Sequence, residues 1–141
     1  MVAEAVHLRV TSCYSFLRAA GHPEAYVERA AELGQRVLAL TEEDYLCALP
    51  RFEQAALRAG LRPILGCALS GEFGSLTFLC RQREGYRRLC QLVSRVHLGG
   101  ERSRPRTRWA DLEACAGPGS FVLIGGRRGP LAQALRAGDE A

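Results

Sequence analysis

The sequence predicts an α/β fold, and three observations carry that prediction. RVLALT, ending at Thr41, is a short apolar run of the kind a strand covered on both faces requires. Two amphipathic segments flank it, each closed by a glycine, at Gly34 and Gly60. LRPILGCALS and SLTFLCR then follow as strands, separated by GEFG, a hairpin turn. Strand alternating with helix is the grammar of a sheet with helices packed against it.

Taken in order, AVHLRVTS alternates Val6, Leu8 and Val10 against His7, Arg9 and Thr11, the period-2 pattern of a strand with two different faces. GHPEAYVERAAELGQ has a proline suited to a first helical position, apolar residues at Tyr26, Val27, Ala30, Ala31 and Leu33, and Gly34 as its stop. From Pro50 to Gly60, helical spacing puts Leu49, Phe52, Ala55, Ala56 and Ala59 on one face. REGYRRLCQLVSRVHL sets Tyr86, Leu89, Cys90, Leu92, Val93 and Val96 against Arg87, Arg88, Gln91 and Arg95. Residues 99–107, GGERSRPRT, read as a flexible basic loop. A short helix from Trp109 to Cys115, with Trp109 as its anchor, an apolar strand SFVLIGG and a final helix GPLAQALRAGDEA complete the chain. The glycine pairs at 99–100 and 125–126 read as turns or helix entries, and GGRRG could offer backbone N–H groups to a phosphate.

With 141 residues, 48% hydrophobic and 24% charged, the composition fits one globular domain with one core. No run approaches the roughly 20 apolar residues of a membrane span, and the opening MVAEAVHLRV lacks the pattern of a secretory leader, so the expected location is the cytoplasm. Six cysteines (13, 47, 67, 80, 90 and 115) lie far apart with no C-x-x-C pair, and are expected as buried, reduced thiols. Lysine is absent and all nineteen basic residues are arginine, a coding bias more simply than a functional choice. The net charge of +4 is uneven: the segment from Arg81 to Arg108 carries +7 and the rest of the chain −3. Such a stripe marks either a solvated helix face or a contact for an anionic partner.

In βα architectures the site gathers at the C-terminal ends of the strands. Those ends here supply Arg9, Thr11, Ser12 and Arg18, then Thr41, Glu42, Glu43 and Asp44, then Cys67, Ala68 and Ser70. The carboxylates come from a single loop, whereas a hydrolytic metal site needs ligands converging from several strands.

LRVTSCYSFLRAAGHPEAYVERAAELG, VLALTEEDYL and AALRAGLRPILGCALS resemble the opening of the PHP (polymerase and histidinol phosphatase) domain of bacterial DNA polymerase III alpha subunits. LTFLCRQREGYRRLCQLVSRVHLGG and GGRRGPLAQALRAGDE resemble the error-prone form, and RPILG and REGYRRLC are its most specific stretches. The resemblance implies a distorted βα barrel about twice this length, of which residues 1–141 form the N-terminal part, and it implies a role in replication or repair synthesis. On that basis the chain is either part of a longer polymerase or a short relative that packs on a partner or on itself.

Metal-competent members read L-H-x-H-S with an Asp following, then T-D-H, then G-x-E-L. This chain reads Leu8-Arg9-Val10-Thr11-Ser12 with Arg18 following, Thr41-Glu42-Glu43, and Gly66-Cys67-Ala68-Leu69. Arg9, Thr11, Arg18, Glu42, Glu43 and Ala68 therefore occupy the family's ligand positions, and neither a metal nor a catalytic residue is expected. Glu42, Glu43 and Asp44 are expected as counterions of the new guanidiniums, with Asp44 capping the segment after it.

The resulting expectation is a non-catalytic PHP-like module of the error-prone polymerase lineage, with no cofactor, partnered by a polymerase body or another subunit. This chain alone is not expected to be an enzyme. The competing expectation is a metal-dependent phosphoesterase or 3′-5′ exonuclease, in which His7, His22, Glu42, Glu43 and Asp44 would hold Mn or Zn. Under either reading Arg81, Arg83, Arg87, Arg88, Arg95, Arg102, Arg104, Arg106 and Arg108 are candidates for sequence-independent contact with DNA.

Overall fold

A computed structural model of the protein describes residues 5–100, 105–115 and 117–138. The elements follow in the order α1 (Pro23–Glu32), β1 (Val37–Glu43), α2 (Leu49–Arg58), β2 (Arg62–Gly71), β3 (Gly74–Cys80), α3 (Arg83–Gly99), α4 (Trp109–Cys115), β4 (Ser120–Leu123) and α5 (Pro130–Ala137). The strands hydrogen-bond in the order β1-β2-β3-β4. The chain divides into two compact units, Met1–Cys67 and Ala68–Ala141. The strand and helix expectations from Pro23 onward are met within a few residues, and the last three residues of the expected final helix, 139–141, lie outside the described residues.

In the first unit, α1 starts as its sequence directs, with Pro23 in the first turn and Glu24 beside the helix N-terminus. Its end is set by Gly34 at φ 70°: the Gly34 amide donates to the Ala31 carbonyl (2.9 Å) and the Gln35 amide to the Ala30 carbonyl (2.9 Å). The same paired bonds close α2, from Gly60 to Leu57 (3.2 Å) and from Leu61 to Ala56 (2.9 Å), with Gly60 at φ 73°. Both ends are Schellman motifs, which need a residue that tolerates a positive φ. Both helices pack on β1, burying Val27 and Ala30 from one and Leu49, Phe52 and Ala56 from the other. Ala31, Leu33 and Ala59, expected on the buried faces, are exposed instead, because each lies in the closing turn that already rotates away from the strand.

The expected first strand is reduced. Residues 7–10 run beside β1, with the Ala39 amide donating to the His7 carbonyl (3.0 Å) and the Thr41 amide to the Val10 carbonyl (2.7 Å), yet only one parallel bridge, His7 to Leu38, forms. Val6 and Leu8 remain 41% and 38% exposed, so the alternation does not yield a buried face. Backbone pairing on one side fixes the path of a chain but does not cover its side chains.

In the second unit the hairpin turns at Glu72 and Phe73. β4 pairs antiparallel with β3, with Thr77 opposite Leu123 and Cys80 opposite Ser120. α3 buries Leu89, Leu92, Val93 and Val96. Gly85 near its start lets the loop carbonyl of Gly119 come close enough to accept from the amides of Arg81 (2.9 Å) and Gln82 (3.3 Å). α4 opens with a cap assembled from its own sequence: the Asp111 carboxylate accepts from the Arg108 amide (3.0 Å). Trp109 anchors it, its amide donating to Glu72 (2.8 Å) and its ring lying 4.9 Å from that of Phe73. Phe121, Val122 and Ile124 of the last strand segment, and Leu131 and Leu135 of α5, are exposed.

The expectation of buried thiols is corrected. Of the five cysteines whose side chains are described, only Cys67 is buried; Cys47 is exposed and Cys13, Cys80 and Cys90 are half-buried, none of them in a disulfide. Apolar neighbours in sequence placed them near the core without placing the sulfur inside it. Among the described residues no helix is long and apolar enough to cross a membrane.

Candidate functional site

The acids that follow the apolar run of β1 do not share one environment. Glu42, the penultimate residue of the strand, is fully buried, while Glu43 and Asp44 are half-buried. Glu42 points to the turn after the first extended segment. There the Ser15 amide donates to the Ser12 carbonyl and the Arg18 amide to the Ser15 carbonyl (3.0 Å each), two consecutive tight turns that bring both serines to the same side. Leu17 completes the bend at φ 62°, a backbone region that ordinary side chains seldom occupy.

The Glu42 carboxylate receives the Ser12 amide (3.1 and 3.3 Å to its two oxygens), the Ser12 hydroxyl on Oε1 and the Ser15 hydroxyl on Oε2. Each hydroxyl also accepts from a backbone amide, Ser12 Oγ from Tyr14 (3.3 Å) and Ser15 Oγ from Glu43 (2.8 Å). The result is a closed network in which every hydroxyl both donates and accepts. A buried charge is tolerable under those conditions, because donors replace the water it has lost. The strand end is held further by Cys67, whose thiol lies 3.2 Å from the Glu42 carbonyl. Thr41 adds a bond from its hydroxyl to the Val10 carbonyl (3.3 Å).

Glu43 behaves as the sequence suggested. Arg18 meets it with Nε at 2.6 Å and Nη2 at 3.2 Å, a two-pronged ion pair with the guanidinium half exposed. The expectation that Glu42 would likewise serve a guanidinium is corrected: its carboxylate partners are two hydroxyls and an amide. Asp44 sits at φ 61°, and α2 begins from Ala48 with no side-chain cap.

The remaining sequence candidates are dispersed. Arg9 and His7 are exposed, Thr11 is half-buried with its hydroxyl 3.4 Å from the Thr41 carbonyl, and Ala68 is buried as the first residue of the second unit. His22 is exposed and faces Cys13, its Nδ1 at 3.3 Å from the sulfur. Among the described residues no group of three or more His, Cys, Asp and Glu side chains is placed to hold a metal ion. Ser15 was passed over by the sequence reasoning, and Ser12 was named there only as a strand-end residue, with no role. The only signal was their i, i+3 spacing in S-C-Y-S, which does not say which acid, thirty residues on, they face.

The basic segment of the second unit is less free than its charge suggests. Glu84 holds two of its arginines, with Arg87 Nη2 at 2.6 Å and Arg88 Nε at 2.9 Å. The hydrogen bonds from Arg87, then Arg88, pull the Glu84 carboxyl down to about 2. Arg108 is engaged by Asp111 (3.2 Å), whose carboxyl that contact lowers, and Arg81 lies 5.9 Å above the ring of Phe121. Arg83, Arg95 and Arg106 are exposed, whereas Arg102 and Arg104 lie outside the described residues.

Comparison with known proteins places these features in context. The PHP domain family matches residues 7–141. An error-prone DNA polymerase from Mycobacterium tuberculosis is 39% identical over 148 aligned positions, covering 95% of this chain and 13% of that protein. Another, from Anaeromyxobacter sp. strain K, is 42% identical over 127 positions, covering 85% of this chain and 11% of that protein. The chain thus spans about an eighth of the length of these relatives. Among solved structures, an amidohydrolase from Chromobacterium violaceum with bound sulfate superposes at a TM-score of 0.50. It is 23% identical, with 70% of this chain and 40% of that one covered. That likeness concerns the fold alone.

Proposed function

The chain belongs to the PHP domain family, and on that premise we propose that it is a non-catalytic PHP module of the error-prone DNA polymerase lineage, one that supports a polymerase body. The observation that carries this reading is the state of Glu42. Of the residues at the family's ligand positions it is the one fully buried acid, and both its oxygens are spent on Ser12 and Ser15. Arg18 adds a cation at the neighbouring acid, Glu43. A carboxylate that hydrogen-bonds inward to two hydroxyls and an amide is a structural tie between the turn and the strand, and it offers a cation no open face.

In this role the first unit supplies shape. Arg83, Arg95 and Arg106 of the second, together with Arg102 and Arg104 of the basic loop, supply sequence-independent attraction for the phosphates of a primed template. Polymerisation itself belongs to parts of the relatives that this chain does not cover.

Metal content tests the reading. The chain, purified without chelator and equilibrated with manganese and then zinc, is expected to retain well below one ion per chain by mass spectrometry. One or more tightly held ions, lost on Glu42→Gln or Glu43→Gln, would overturn it and make phosphodiester hydrolysis the next assay.

A further inference from the structure

β4 is the outer strand of its sheet: β3 lies on one side, and among the described residues no strand lies on the other. Residues 120–124, SFVLI, carry neither charge nor proline, the devices by which edge strands deter pairing. Phe121 and Val122, as successive residues, point to opposite faces of the sheet, yet they are 56% and 44% exposed. Ile124, just past the strand, is exposed as well, and the helix that follows, α5, packs on β3.

Cations stand at both ends of this apolar edge. At one end, where Cys80 pairs with Ser120, the exposed guanidinium of Arg81 lies 5.9 Å from the centre of the Phe121 ring. At the other, Arg127 and Arg128 follow the strand and are both exposed; the Arg128 carbonyl accepts from the Ser75 amide (2.7 Å) and so ties their turn to the start of β3. Glu84, whose backbone adjoins Gly119, is engaged by Arg87 and Arg88.

Those charges select the occupant. A second copy paired antiparallel through β4 would set the Arg81 end of one strand against the Arg127 end of the other, with like charges meeting at both ends. The phosphates of a nucleic acid would satisfy the guanidiniums but leave Phe121 and Val122 uncovered. An extended polypeptide with apolar residues in its middle and carboxylates at its ends answers the backbone edge, the apolar side chains and the cations together. We propose that the open edge of β4 is the docking site for such an acidic, apolar segment of a partner chain, which adds to the sheet as a further strand. The proposal rests on the reading of this chain as a module that supports a polymerase body, and it gives that support a surface and a partner chemistry. Retention of a metal would overturn that reading and leave the strand-binding result below unchanged.

The probe is a fluorescein-labelled peptide, Asp-Asp-Val-Thr-Val-Thr-Asp-Asp, titrated with the full chain at low salt and followed by anisotropy. Saturable binding is expected, and it should weaken by about tenfold when lysine replaces the aspartates or serine replaces the valines. Proline in place of the central threonine removes a backbone donor and should weaken binding as much. On the protein, Arg127→Glu and Phe121→Thr should each weaken binding by about tenfold, whereas Arg127→Lys should keep most of it. Both positions are exposed, and an unchanged circular dichroism spectrum checks the fold; where Phe121→Thr unfolds the chain, the peptide variants decide. Absence of saturable binding, or binding indifferent to lysine, serine or proline in the peptide, overturns the proposal. A primed duplex that displaces the peptide and loses affinity in Arg127→Glu overturns it in favour of nucleic acid. A dimer in sedimentation velocity that dissociates in Phe121→Thr overturns it in favour of a second copy.

Discussion

Ser12 gives Glu42 both its backbone amide and its hydroxyl across thirty positions of sequence, and so ties the turn after the first extended segment to the buried end of β1. Ser15 matches it on the second carboxylate oxygen. Removing either hydroxyl deprives a buried charge of a donor and a backbone amide of its acceptor. Ser12→Ala and Ser15→Ala should each lower stability by about 1.5–3 kcal/mol in urea unfolding, and the double variant should depart from additivity because both hydroxyls serve one carboxylate. Losses below about 0.5 kcal/mol would mean that Glu42 is held by something else.

The neighbouring ion pair should behave differently. Arg18 and Glu43 meet at 2.6 Å, but the Arg18 side chain is 49% exposed. Water screens such a pair, so Arg18→Gln should cost no more than about 1 kcal/mol, and less as salt is raised. Thermal unfolding of the two variant classes side by side would separate the buried tie from the surface bridge.

Helix ends give a third expectation. Gly34 and Gly60 occupy φ 70° and 73° with open space where a side chain would project, so alanine meets no neighbour and suffers only backbone strain. Gly34→Ala and Gly60→Ala should each cost about 1 kcal/mol. Gly85 is the contrasting case. A Cβ there would overlap the Gly119 carbonyl oxygen, the acceptor of the Arg81 and Gln82 amides just before α3. Gly85→Ala should therefore cost about 1–3 kcal/mol, through displaced backbone, and lower the helical signal with it.

Acid should act on α3 through Glu84. Its folded carboxyl titrates at about 2 against an ordinary 4.5, because Arg87 and Arg88 hydrogen-bond to its charged form. A carboxyl depressed on folding stabilises the fold fully above the unfolded value, and that contribution disappears as pH falls through the folded one. The gap in melting temperature between the native chain and Glu84→Gln should be constant above about pH 5 and narrow steadily toward about pH 2. A gap independent of pH would show that the network does not persist in solution.

On the proposed role at DNA, affinity for a primed duplex should fall steeply with salt. Replacing Arg102, Arg104 and Arg106 by alanine should reduce the log-log slope by roughly 0.9 for each phosphate these side chains neutralise. Arg87→Ala should matter less, since Glu84 already engages that guanidinium. Fluorescence anisotropy across a salt series reads both effects, and a slope unchanged by the triple substitution would remove the basic loop from the interface.

Local chemistry determined much of this protein from its sequence. Pro23 and Gly34 bracket α1, Gly60 ends α2 and the apolar run of β1 is buried, and these features are legible because each rests on residue identity or near neighbours. Where the outcome depended on partners distant in sequence, only the tertiary structure decided it. Period 2 alone did not give Val6 and Leu8 a covering layer, and nearby apolar residues did not bury Cys47. The division of labour among adjacent acids was also decided there: Glu42 turns inward to two serines, while Glu43 turns outward to Arg18. Successive side chains of a strand point to opposite faces, so two neighbouring glutamates of the same chemistry meet different surroundings. Those surroundings are set by the packed turn from Ser12 to Arg18.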